Sequence, residues 1–152
     1  MVHRPGRGAP ATAASPVRRV ALVVGAVFLL IGVLGFIPGI TSDYYDLMFA
    51  GHESKAKLLG LFQVSVLHNI VHLLFGVAGL ALSRTASGAR TYLVAGGAIY
   101  LVLWLYGLVI SHNSAANFVP FNGADNWLHL LLGIGMIALG VGLTRGPAGA
   151  HR

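Results

Sequence analysis

The sequence predicts an all-α integral membrane protein, a four-helix bundle built from two tandem helical hairpins arranged as parallel repeats. Three observations carry the prediction. Hydrophobic residues make up 56% of the 152-residue chain and charged residues 9%, against about 25% charged in an ordinary soluble domain. Four apolar stretches, about residues 20–37, 63–82, 92–110 and 126–143, approach the roughly 20 residues that a helix needs to cross a bilayer. The phrase Asn-x-x-His-Leu-Leu-x-Gly occurs twice, from Asn69 to Gly76 and from Asn126 to Gly133.

Residues 1–19 are rich in Pro, Ala, Gly and Arg and read as a disordered cytoplasmic tail. The apolar run after Arg18-Arg19 is long and lacks a small-x-small cleavage site, so it is a retained first span rather than a signal peptide. Pro38-Gly39 closes it. The outer loop "TSDYYDLMFAGHESK" reads as an amphipathic segment on the membrane surface. Its Asp43, Asp46, His52 and Glu53 suit a solvated loop better than a cation site. The second span ends at Ser83-Arg84. Tyr100 and Trp104 share one face of the third span, as packing or interfacial anchors do. The fourth span stops before Arg145-Gly146-Pro147, and residues 144–152 form a cytoplasmic tail. The four-span domain is thus 20–143.

The net charge is +6, and its distribution is the informative part. Arg4, Arg7, Arg18, Arg19, Arg84, Arg90, Arg145 and Arg152 fall on one side of a four-span chain. Lys55 and Lys57 fall on the other, with all four acids, Asp43, Asp46, Glu53 and Asp125. Basic residues stay on the cytoplasmic side, so both termini are expected there, in the cell membrane. The basic excess is then a topology signal and implies no nucleic-acid partner. The tail arginines are placed to touch anionic lipid headgroups. With no cysteine, disulfides, iron–sulfur clusters, thiolate zinc sites and covalently attached c-type haem are excluded.

The two repeated phrases align at an offset of 57. A weaker match at offset 72 pairs Gly25, Ala26, Leu29 and Gly35 with Gly97, Ala98, Leu101 and Gly107. Two hairpins that both begin inside make parallel repeats about an axis along the membrane normal.

At 100° per residue, Ser65, His68, Asn69, His72, Gly76 and Gly79 share one face of the second span. Asn122, Asp125, Asn126, His129 and Gly133 do so on the fourth. Polar groups facing lipid cost several kcal/mol each, so both faces turn inward as a polar seam between spans two and four. A structural seam is one reading, in which Asn and His hydrogen-bond across helices and Gly76, Gly79 and Gly133 allow close packing. Haem b held by His72 and His129 is a second. A proton or small-solute path along His68, His72, Asp125 and His129 is a third. Histidines at i and i+4 suit a metal, but they lack a third ligand, and no metal site is assigned. Glycine-mediated packing at about 8–10 Å between helix axes and a haem cleft exclude each other; no cofactor is predicted, and a haem b-binding redox protein or a proton or small-solute transporter component is the alternative. No P-loop, nucleophile elbow or soluble domain is present, and no catalytic residue is assigned. The expected function is that of a non-enzymatic membrane scaffold or assembly protein whose partners are the lipid bilayer, its own copies or other membrane proteins.

The segments "GVLGFIPGIT", "AKLLGLFQVSVLHNIVHLLFGVAGL" and "NFVPFNGADNWLHLLLGIGMIALG" resemble the domain-of-unknown-function family 4383 from about Val20 to Leu143. Its members are small four-span membrane proteins, chiefly actinobacterial. The resemblance implies an integral protein of the cell envelope and supplies neither an activity nor functional residues.

Overall fold

The computed structural model describes residues 14–144. The tails expected at either end lie largely outside this range. Four helices form the frame: α1 (Pro16–Leu34), α2 (Val66–Leu82), α3 (Ala86–Val109) and α4 (Gly123–Gly142). α1, α3 and α4 are long and apolar enough to cross a membrane, and α2 is a shorter apolar helix. Their outer faces carry large apolar side chains, among them Val23, Leu74, Val102 and Leu131, each at least 60% exposed. Such a continuous apolar exterior is unfavourable in water and suits lipid.

Local chemistry sets the helix ends. α1 begins at Pro16 rather than Val20 because proline fits the first helical turn. Arg18 and Arg19 therefore lie inside it. Arg18 Nε donates to the carbonyl of Ser83 at 3.0 Å, which supplies a partner to the free C-terminal end of α2. α3 begins at Ala86, where the Thr85 hydroxyl accepts the amide of Gly88, so Arg90 also falls within a helix. α2 begins at Val66, after the N-cap Ser65, and not at Gln63.

α2 packs chiefly along α1, and α4 along α3. Glycines sit at both crossings. A Cβ on Gly76 would lie 2.7 Å from the backbone nitrogen of Leu29, and one on Gly79 would lie 2.7 Å from Cα of Gly25. Across the other pair, a Cβ on Gly133 would lie 2.6 Å from Leu101 Cδ2, and one on Gly97 would lie 2.8 Å from the carbonyl of Gly133. Phe28, Tyr92, Leu93, Tyr100 and Met136 join the pairs in one core.

The loop between α1 and α2 is folded. It contains a three-stranded antiparallel sheet of two-residue strands, β1 (Thr41–Ser42), β2 (Lys57–Leu58) and β3 (Phe62–Gln63), in spatial order β1-β2-β3. Leu59 (φ 55°) and Gly60 (φ 69°) both take positive φ, as the tight turn between β2 and β3 requires. Carbonyls of Met48 and Phe49 accept the amides of Val66 and Leu67, so this loop supplies partners to the first turn of α2. It also clamps the start of α4, where Asn122 Nδ2 donates to the carbonyl of Leu61 at 2.7 Å.

Candidate functional site

The ionisable residues of α2 and α4 converge near the end of the bundle that carries the α1–α2 loop. His68 and His72 lie one turn apart with ring centroids 4.4 Å apart. Phe28 of α1 meets His72 edge-on at 5.5 Å and stacks on Tyr100 of α3 at 5.6 Å. Tyr100 in turn packs against His129 of α4 at 5.3 Å. Phe121, just before α4, closes the group at 4.9 Å from His129. A cavity of about 300 Å³ borders His68, His72, Tyr100, Phe121 and His129. A second, of about 90 Å³, borders His68, His72, Tyr100 and His129 from the α1 and α4 side, with Asp125 in its wall. The same four side chains thus stand between two cavities.

The polar stripes do not meet as one seam between α2 and α4. Each splits in two. Asn69 and Asn126 lie on the glycine side of their helices and turn into their own pairs, where a Cβ on Gly35 would strike the Asn69 amide and one on Gly107 that of Asn126. The glycines draw α2 onto α1 and α4 onto α3, and the asparagines lie beside them on those faces. Gly76 and Gly133 are likewise consumed within the pairs, while Gly79 meets both Gly25 of α1 and Tyr92 of α3. Only His68, His72 and His129 are left to face one another across the middle, with Phe28 and Tyr100 between.

Asp125 serves the backbone. Its Oδ2 accepts the amides of Asn122 at 2.9 Å and Gln63 at 3.1 Å, while its own amide donates to Asn122 Oδ1. This reciprocal capping box fastens β3 to the start of α4. The Gln63 carbonyl meets His68 Nδ1 at 3.1 Å. A carbonyl only accepts, so the His68 proton is on Nδ1 and its Nε2 carries the lone pair.

Among the described residues, Nδ1 of His72, Nδ1 of His129, Oδ1 of Asn126 and both amide atoms of Asn69 are enclosed without a hydrogen-bond partner. An enclosed lone pair is less costly than an enclosed N–H, which assigns the protons of His72 and His129 to Nε2. The described residues contain no group of three or more histidines or carboxylates placed to hold a metal ion. Because the Asn69 amide is unpartnered, Asn69→Leu should change stability by less than about 1 kcal/mol, since an apolar group of similar shape replaces it. Thermal unfolding in detergent measures this, and a larger loss would mean that the amide makes a bond in the membrane.

A family model described as a domain of unknown function, DUF4383, matches residues 18–142. The chain belongs to the DUF4383 family. No curated protein and no solved structure matches it. The DUF4383 region covers the four helices, except Pro16 and Val17 at the start of α1, and every residue of the histidine cluster. Sequence reasoning singled out the histidines, but not Phe28 or Phe121, which carry no signal beyond being aromatic.

Proposed function

We propose that this DUF4383 protein is a non-enzymatic, four-span protein of the cell membrane, with both termini cytoplasmic, that binds a small, largely apolar molecule in the cavity beside His72 and His129. The observation that carries this reading is the lack of pairing within the cluster. A register-fixing role would pair His72 with His129, or His68 with Asp125. Instead, His68 and Asp125 are each held by the backbone of Gln63, and His72 and His129 stand in an otherwise apolar wall with no partner for Nδ1. An apolar cavity with a few fixed polar groups is the usual form of a small-molecule site.

Other observations support the architecture. Leu29 meets Gly76 as Leu101 meets Gly133, and Gly35 meets Asn69 as Gly107 meets Asn126. These contacts follow both sequence offsets, and so favour two tandem hairpins. The Arg18–Ser83 contact and the Gly32–Leu73 contact run α2 back along α1, as a fourth span requires. The small-residue faces that favoured a scaffold are occupied within the chain. Phe28 and Tyr100 fill the space that a porphyrin between His72 and His129 would need, which disfavours haem b.

The protein taken from its own membranes should carry a bound small molecule, detected by mass spectrometry after release from detergent micelles. His129→Leu should abolish the adduct while moving the thermal midpoint by no more than about 4 °C, the equivalent of about 1 kcal/mol in a chain of this size. An adduct that survives in this variant would contradict the reading. For the topology, Ser114→Cys should react with an impermeant thiol reagent on intact cells, and tags at both termini should stay protected. Labelled termini would reverse the orientation.

A further inference from the structure

Lys55 and Lys57 are the only lysines in the chain, and they stand together. Along residues 54–58 burial alternates, so that Ser54, Ala56 and Leu58 are buried while Lys55 and Lys57 point outward. Both lysines border an outer cavity of about 290 Å³, with His52, His112, Gln63 and Asn122 around it. None of the nearby acids, Asp43, Asp46, Glu53 and Asp125, lines this cavity. Glu53 is 70% exposed and lies 2.9 Å from His52, while Asp125 is buried beneath the amides of Gln63 and Asn122. The outer cavity therefore has a positive lining rich in hydrogen-bonding groups, unlike the histidine cavity.

Phe121 belongs to both cavities. It is 2% exposed and held rigidly. Its amide donates to Asn117 Oδ1 at 2.9 Å and its carbonyl accepts from Asn117 Nδ2 at 3.1 Å. The histidine cavity also has an apolar flank. Val71, Val102 and Phe118 line it and are 44%, 64% and 55% exposed, on surface that faces lipid in the proposed topology. Exposed Met48, Phe49, Leu59 and Leu61 put the rest of the outer loop at the height of the interface, where lipid headgroups lie.

We infer that the molecule bound is an anionic amphiphile with a single alkyl chain, its chain in the histidine cavity and its head against Lys55 and Lys57, with Phe121 at the junction. This rests on the histidine cavity being a binding site. The charge of the outer cavity selects an anionic head over a neutral or cationic one. The volume of the inner cavity, at the small end of the range for ligand sites, selects one chain over the two of a phospholipid. Access is sideways from the bilayer, past Val71 and Val102.

The test uses the full chain, 15N-labelled at histidine, in phosphatidylcholine nanodiscs, which offer no net anionic headgroup. Dodecyl phosphate, dodecanol and inorganic phosphate are titrated separately while the His129 ring signals are followed. Dodecyl phosphate should move them, inorganic phosphate should not, and the doubly substituted Lys55→Gln/Lys57→Gln protein should need about tenfold more dodecyl phosphate, approaching the requirement for dodecanol. Two lysines near an anionic group supply at least that factor, at about 1 kcal/mol each. An unchanged half-saturation in the double variant, or a response to inorganic phosphate alone, would overturn the assignment of the head while leaving the cavity as a binding site. If neither alkyl compound moves the His129 signals, the cavity reading itself fails.

Discussion

Gly76→Ala should lower the unfolding free energy by about 3 kcal/mol, Gly133→Ala by about 1–2 kcal/mol, and Gly135→Ala not at all. The order follows from what the new methyl group would meet. At Gly76 it would lie 2.7 Å from the backbone nitrogen of Leu29 and 2.8 Å from the carbonyl of Gly25. Backbone cannot step aside without parting the two helices, which puts this change at the upper end of the 1–3 kcal/mol range for overpacking. At Gly133 the nearest atoms belong to the Leu101 side chain, at 2.6 and 2.7 Å, with the Gly97 carbonyl at 3.0 Å. A leucine can rotate, so part of the strain is relieved. Gly135 lies two residues further along α4 and has nothing within 4 Å. There alanine should stabilise the helix by about 0.5–1 kcal/mol through its greater helix propensity. Reversible unfolding of the three variants in one detergent gives the comparison. Equal losses at Gly76 and Gly135 would mean that α1 and α2 do not cross at that glycine.

Asp125→Ala should cost about 2–4 kcal/mol, and Asp125→Asn less than about 1. One oxygen, Oδ2, accepts both the Asn122 and the Gln63 amides. Alanine would leave two part-buried donors without a protein partner, at about 1–3 kcal/mol for each, and would release β3 from α4. The amide oxygen of asparagine can occupy the place of Oδ2 and accept both bonds. The comparison therefore separates acceptor from charge. If asparagine proves as damaging as alanine to stability, or abolishes ligand binding at unchanged stability, the carboxylate has a role beyond capping.

Several features were legible in the chain because they depend on covalent order and composition. The four apolar stretches, the inward turn of the polar stripes and the special standing of His72 and His129 follow from hydropathy and a 100° periodicity. Family membership was legible for the same reason, since the motifs around Asn69 and Asn126 are contiguous. The partners of each face were not. Asn69 and His72 lie only 60° apart around α2, yet the asparagine faces α1 and the histidine faces the middle of the molecule. Only the direction in which α2 leans decides between them. The small sheet between α1 and α2 was hidden because its strands have two residues each, too short for a visible alternation. Its turn is Leu59-Gly60, where the usual sequence signal is Asn-Gly.

The sequence by itself determined an apolar, helical chain with a repeated phrase and a lopsided charge distribution, because hydropathy and helix pitch act on residues near one another in order. The tertiary structure alone decided that glycines close each helix pair against its own partner, that Asp125 caps α4 rather than pairing with His68, and that Phe121 lines both a lysine-bordered cavity and a histidine-bordered one. Most of those contacts link residues on different elements, as Gly133 to Leu101 and Gln63 to Asp125 do. Their geometry is set by how closely two backbones can approach where no Cβ intervenes, a distance that no local pattern records.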